Sequence, residues 1–206
     1  MDLTLIGLAA TAGGSAVITT YIRANFRLRR KGTAAAWWGG LVLGNLGMLL
    51  TGAGWTILAF SGPYYNLPAL RIVGVVIALL GGWLYLAGAM HVGRMRSRRQ
   101  FSLNLHTEGI YRMIRHPQAL ALCLLAVGIG LASLSKPFIW SLPLIAGFWV
   151  AYTYLEERFE LIPAYGEEYE RYIRSTGRLF PSLQVLREVI SGRADDFLLQ
   201  SSRDSR

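Results

Sequence analysis

The 206-residue chain is short of cysteine, histidine and acid. Cys123 is its single cysteine and lies in an apolar run, which excludes a disulfide framework and a cysteine-built metal site. Of the three histidines, His91 and His106 have no carboxylate or cysteine at metal-ligand spacing, so the pattern offers no metal centre. Charge of either sign is scarce: charged residues make up 16% of the chain and hydrophobic ones 53%, a balance too apolar for an ordinary soluble domain. Asp and Glu number 12 against 21 Lys and Arg, and the excess sits in short blocks between apolar runs. Such blocks orient a membrane protein and do not make the continuous basic face of a nucleic-acid binder. No cleavable signal peptide is expected, because the first apolar run is about a full span long and its basic block follows it.

What the chain does have is long hydrophobic runs. A bilayer core about 30 Å thick needs roughly 20 helical residues. Runs at 3–22, 34–60 and 70–92 meet that length, followed by 118–135 and 138–155, which only Lys136-Pro137 separates. So short a break predicts a tight helical hairpin. The expected fold is all-α: a polytopic membrane helix bundle of about five transmembrane helices with a C-terminal cytoplasmic helical segment. The chain then divides into three regions, namely three N-terminal spans over 1–92, a catalytic-type region over 93–181, and a surface helix with a flexible tail over 182–206.

Arg23, Arg27, Arg29, Arg30 and Lys31 lie between runs one and two, and Arg94, Arg96, Arg98, Arg99, Arg112 and Arg115 between runs three and four. Positive loops stay in the cytoplasm, which puts the N-terminus outside and the C-terminus inside. Gly40-x-x-x-Gly44 predicts close helix packing, and Trp37, Trp38, Tyr64 and Tyr65 predict interface anchors. After Leu155 the sequence turns charged and aromatic, with Phe159, Ile162, Tyr165, Tyr169 and Tyr172 recurring at helical intervals and a kink expected at Pro163.

Two polar clusters fall on the cytoplasmic side. The first is Thr107, Glu108, Tyr111, Arg112, Arg115 and His116, closed by Pro117, a residue well suited to the first turn of a helix. Arg115 and His116 then sit at that helix's positive end. The second is Glu156, Glu157 and Glu160. The charges alone leave two readings open: ion pairs between positive-inside residues and their carboxylate partners, or a site of both signs able to hold a zwitterionic small molecule.

Thr107-Glu108-Gly109-Ile110-Tyr111, Arg115-His116-Pro117, an apolar hairpin, an acidic run, Tyr165-Gly166-Glu167-Glu168-Tyr169-Glu170-Arg171-Tyr172 and Arg178-Leu179-Phe180-Pro181 succeed one another in this order. The order resembles the isoprenylcysteine carboxyl methyltransferase family and its phospholipid methyltransferase relatives. The resemblance covers residues 107–181, with no family signature in the first three runs. Ala119, Ala121 and Arg158 stand where the family pattern has tyrosine, glycine and a second glutamate.

The resemblance implies a membrane-embedded, S-adenosylmethionine-dependent methyltransferase that releases S-adenosylhomocysteine. The acceptor would be lipophilic: an isoprenylcysteine-like carboxylate, a phospholipid amine or a small hydrophobic molecule. It implies Arg115 and His116 as catalytic residues, and Tyr111, Arg115, His116, Pro117, Glu156, Glu157 and Glu160 around the cofactor. Tyr169, Tyr172, Arg171 and Arg174 would face the substrate. Membrane lipids are the expected partners, not nucleic acid. Membrane sterol reductases have a similar C-terminal architecture but use NADPH, and Arg112, Arg115, Arg171, Arg174 and Arg178 leave room for its 2′-phosphate. A non-catalytic protein on the same scaffold is the remaining alternative.

Overall fold

A computed structural model describes residues 2–29, 34–97, 105, 107–183, 185 and 187, with side chains described for 2–20, 42–90, 105, 107–183, 185 and 187. The side chains of the arginine blocks at 23–31 and 94–99, and those of Trp37, Trp38, His91 and His106, lie outside the described residues. So do Gly40 as a packing contact and the tail from 188 onward. Eight α-helices and one π-helical turn account for the described elements: α1 (Leu3–Arg29), α2 (Ala34–Ala59), α3 (Pro68–Ser97), α4 (Ile110–Met113), α5 (Pro117–Ser133), α6 (Lys136–Glu156), the π turn (Glu157–Leu161), α7 (Ile162–Tyr165) and α8 (Glu167–Ser175). Leu183, Val185 and Arg187 of the expected surface helix are helical. Among the described residues the only β pairings are two isolated bridges, Tyr64 with Ser135 and Ile114 with Gly177. The fold is therefore all-α, as the hydropathy pattern predicts.

Among the described residues, four helical stretches are long and apolar enough to cross a membrane: Leu3–Thr20, Val42–Ala59, Pro68–Met90 and Lys136–Tyr165. The fourth expected span, 118–135, is shorter than the sequence suggests. Helix α5 has 17 residues, about 25 Å of rise against a bilayer core of about 30 Å. The apolar run continues to 135, but Leu134 has a φ of 57° and leaves the helix. The hairpin turn is thus Leu134-Ser135, while Lys136 and Pro137 already form the first turn of α6.

The described structure divides into two compact units, each discontinuous in sequence. One comprises Met1–Leu80 with Cys123–Tyr152, the other Gly81–Leu122 with Thr153–Arg206.

The first unit is a helix bundle sewn along glycine seams. Gly7 of α1 faces Gly54 of α2, and Gly14 faces Gly47, so the two helices run antiparallel. A Cβ on Gly14 would stand 2.7 Å from the Gly47 carbonyl oxygen, and one on Gly54 2.8 Å from that of Gly7. A second seam joins α3 to α5, where a Cβ on Gly74 would lie 2.7 Å from the Leu131 carbonyl carbon and one on Gly128 2.6 Å from the Ala78 Cα. Lipid tails are as apolar as leucine, so close backbone approach of this kind is what drives helices together in a bilayer. Within the same unit Ser135 Oγ lies 2.7 Å and 2.6 Å from the carbonyl oxygens of Leu58 and Ser61. Its single proton serves one of these carbonyls at the end of α2 at a time.

The second unit contains the carboxylates and cations singled out in the sequence. The expected disturbance at Pro163 is there, but displaced upstream. Proline lacks an N–H and its ring crowds the carbonyl four residues back, which here is Phe159, inside the π turn. The widened turn presents both Glu157 and Glu160 to the interior.

Candidate functional site

Gly109 starts the site. Its φ of 60° and ψ of −129° form a conformation that a residue with a Cβ rarely adopts, and α4 begins immediately after it. That helix lasts one turn and gives way at Ile114 to extended backbone. The extended segment runs beside residues 177–178. Arg115 N donates to Gly177 O at 2.9 Å and His116 N to Arg178 O at 3.0 Å, beside the parallel Ile114–Gly177 bridge. Pro117 then opens α5, where its missing N–H leaves no orphan donor, and it is fully buried.

Glu157 is the centre of the polar cluster. It is 3% exposed, and its Oε1 accepts from Arg115 Nε at 2.9 Å, His116 Nε2 at 2.9 Å and Tyr169 OH at 3.2 Å. Its Oε2 accepts from Arg178 Nη2 at 2.6 Å. Three donors therefore share Oε1, while Oε2 serves Arg178. The other ring nitrogen of His116, Nδ1, lies 3.3 Å from Glu156 Oε2. With a carboxylate at each nitrogen, the protonated ring of His116 donates twice. Burial works against that charge, but the hydrogen bonds to Glu156 and Glu157 outweigh it and hold the pKa above its ordinary 6.5.

Arg115 has further anchors: Nη1 donates to the carbonyl oxygens of Ile173, at 3.1 Å, and Thr176. The Arg178 guanidinium stacks over the Tyr154 ring at 3.3 Å, a contact that arginine makes readily because its planar cation is weakly hydrated.

Helix α8 supplies the aromatic underside. Gly166, with φ 54° and ψ −130°, sets its start. Tyr169 and Tyr172, three residues apart on one face, pack edge to face at 5.8 Å. Tyr172 OH donates to the Tyr111 carbonyl oxygen. Burial, together with the charge of Glu157, pushes the Tyr169 phenol above its usual range. Tyr111 is pushed up to about 12 by burial and then by Glu156.

The structure brings most of the expected site residues together. Arg115, His116, Glu156, Glu157 and Tyr169 share direct contacts, Tyr111 and Tyr172 join through a carbonyl, and Pro117 fixes the local chain. Glu160 is buried one turn beyond Glu157. Arg171 and Arg174 occupy the exposed side of α8, with Arg171 Nε 3.5 Å from the Glu167 carbonyl oxygen. Ala119 and Ala121, where the family pattern has tyrosine and glycine, are buried, whereas Arg158 is exposed. Sequence reasoning missed Arg178 as a partner of Glu157, along with the Tyr154 stack and the carbonyls of Ile173 and Thr176. For Arg178 a signal existed in the late Arg-Leu-Phe-Pro segment. For the carbonyls there was none, since every residue has one.

Comparison with known proteins adds one finding. The phospholipid methyltransferase family matches residues 69–168, just under half of the chain. The match bears out the resemblance and extends it upstream over most of α3, a stretch in which the motifs alone gave no family signature. Tyr169, Tyr172 and Arg178 lie beyond its end. No curated protein and no solved structure matches the chain.

Proposed function

We propose, because residues 69–168 carry the phospholipid methyltransferase pattern, that this chain is an integral membrane methyltransferase that uses S-adenosylmethionine and acts on a lipophilic acceptor. The observation carrying the reading is that this matched stretch holds Arg115, His116, Glu156 and Glu157 as one connected cluster of both charge signs.

The donor set fits the cofactor's chemistry. S-adenosylmethionine carries an amine, a carboxylate and a sulfonium, and supplies an electrophilic methyl group when bound. Glu156, the more exposed carboxylate at 26% against 3% for Glu157, is the group to meet the amine, with Tyr111 and Glu160 completing the surroundings. Arg115 and His116 act by holding Glu157 and the start of α5 in place. In-line methyl transfer needs chiefly proximity and orientation, not a nucleophile on the enzyme. An amine or thiol acceptor must lose a proton, and His116 or a glutamate of the cluster can assist.

The acceptor's lipophilic character is supported by the first unit. A cavity of about 510 Å³ there is lined by Leu8, Trp55, Leu144, Ile145 and Phe148 among others, and Leu144 is 75% exposed. Its volume falls within the ~300–1,000 Å³ of small-molecule sites. The wall hydroxyls of Thr11 and Thr51 are turned onto the carbonyls of Gly7 and Gly47, which leaves an apolar lining for a hydrocarbon chain. In the second unit, Arg171 and Arg174 on the outer side of α8 suit a lipid headgroup, supported from beneath by Tyr169 and Tyr172.

The test is thermal stabilisation of detergent-purified protein by S-adenosylhomocysteine and by NADPH in parallel. A native-state ligand at 100 times its Kd stabilises by about 2.7 kcal/mol. Stabilisation by S-adenosylhomocysteine alone is expected. Stabilisation by NADPH alone would make the chain a reductase, and stabilisation by neither would sink both.

A further inference from the structure

Arg178 lies outside the matched family stretch and belongs to none of the groups assigned above. Its guanidinium is held on two sides, by Glu157 Oε2 through Nη2 and by the Tyr154 ring, and its backbone carbonyl is tied to His116 N. The remaining nitrogen, Nη1, is closed to solvent and has no hydrogen-bond partner among the described residues. An arginine cannot relieve this by losing its proton, and an unpaired buried donor on a charged group is unfavourable. An oriented guanidinium held on two sides is a donor suited to an incoming oxyanion.

We propose that Arg178 Nη1 is the oxyanion-binding donor of this site, pairing with a carboxylate or phosphate oxygen of a ligand. The inference rests on the methyltransferase reading, under which two sources exist: the amino-acid carboxylate of the methyl donor and the phosphate of a phospholipid acceptor. In either case Arg178 divides its guanidinium between the protein and the ligand, with Nη2 on Glu157 and Nη1 on the oxyanion.

Two ligand pairs differ by the oxyanion-bearing part. S-adenosylhomocysteine is compared with 5′-methylthioadenosine, which lacks the amino-acid portion, and dihexanoyl-phosphatidylethanolamine with dihexanoylglycerol, which lacks the phosphate headgroup. Binding to the full-length purified chain is measured by calorimetry for the wild type, Arg178→Ala and Arg178→Lys. Loss of a charged hydrogen bond predicts that Arg178→Ala weakens the oxyanion-bearing member of one pair by roughly 10- to 100-fold. The oxyanion-free member should change by less than about threefold. Arg178→Lys keeps the charge and the Glu157 pair but has a single nitrogen, so it should stay folded and lose the same discrimination. Selective loss for S-adenosylhomocysteine assigns the carboxylate, and selective loss for the phospholipid assigns the phosphate. Equal weakening of both members of each pair, or no change in any, overturns the inference. If the wild type binds neither adenosyl ligand, the methyltransferase reading itself fails.

Discussion

At the scale of single residues, the site is a competition among donors for one carboxylate. Four of them converge on Glu157, and His116 bridges it to Glu156. The linkage has a definite sign. His116 has a folded pKa above its ordinary 6.5, so its contribution to stability is fully present below the ordinary value and is lost as pH rises through the raised one. Comparing the wild type with His116→Gln, the wild type's advantage in thermal midpoint should be largest near pH ~6 and should shrink toward pH ~9. A constant difference across that range would show that the imidazolium is not formed. Much of this was legible beforehand: Arg115-His116-Pro117 and the acidic run announced a cation–carboxylate meeting. The sequence could not reveal that four donors would meet at Glu157. Their meeting depends on a phenol from α8, a guanidinium from residue 178, and a π turn that points Glu157 and Glu160 inward together.

At the scale of elements, helix starts and helix contacts both rest on glycine, for different reasons. Gly166 has a φ of 54°, yet a Cβ there would meet nothing within 4 Å. Its requirement is conformational alone. Gly166→Ala should therefore cost about 1–3 kcal/mol through backbone strain, read as a lowered thermal midpoint. A neutral outcome would mean that α7 and α8 can be joined through another backbone geometry. The seam glycines are different, because their Cβ atoms would collide with a facing backbone. The sequence pointed to a small-residue seam in α2 at Gly40 and Gly44; Gly40's packing lies outside the described residues, and the close approaches described in α2 are at Gly47 and Gly54. The hairpin was foreseen in kind and misplaced in position. Hydropathy is blind to the left-handed Leu134, an apolar residue that ends a helix.

At the scale of the whole molecule, hydropathy defined the class well: among the described residues four stretches fit a membrane span, and the fourth expected run is a shorter helix. Orientation rests on the arginine blocks, and a C-terminal fusion provides its test. Expressed in a bacterium, a fluorescent protein at the C-terminus should glow while alkaline phosphatase at the same place stays inactive. The reverse pattern would invert the proposed topology. Every member of the Glu157 cluster lies in one unit, and the residues lining the apolar cavity lie in the other. The pairing of residues 114–116 with 177–178 carries a further consequence for synthesis on the ribosome. Arg115 and His116 emerge some sixty residues before the segment that receives their backbone N–H groups, and long-range closures of this kind come late. The segment at 114–116 therefore cannot be completed until residues 177–178 have left the ribosome, and a nascent chain stalled before codon 177 would lack the pairing that holds Arg115 and His116 in place.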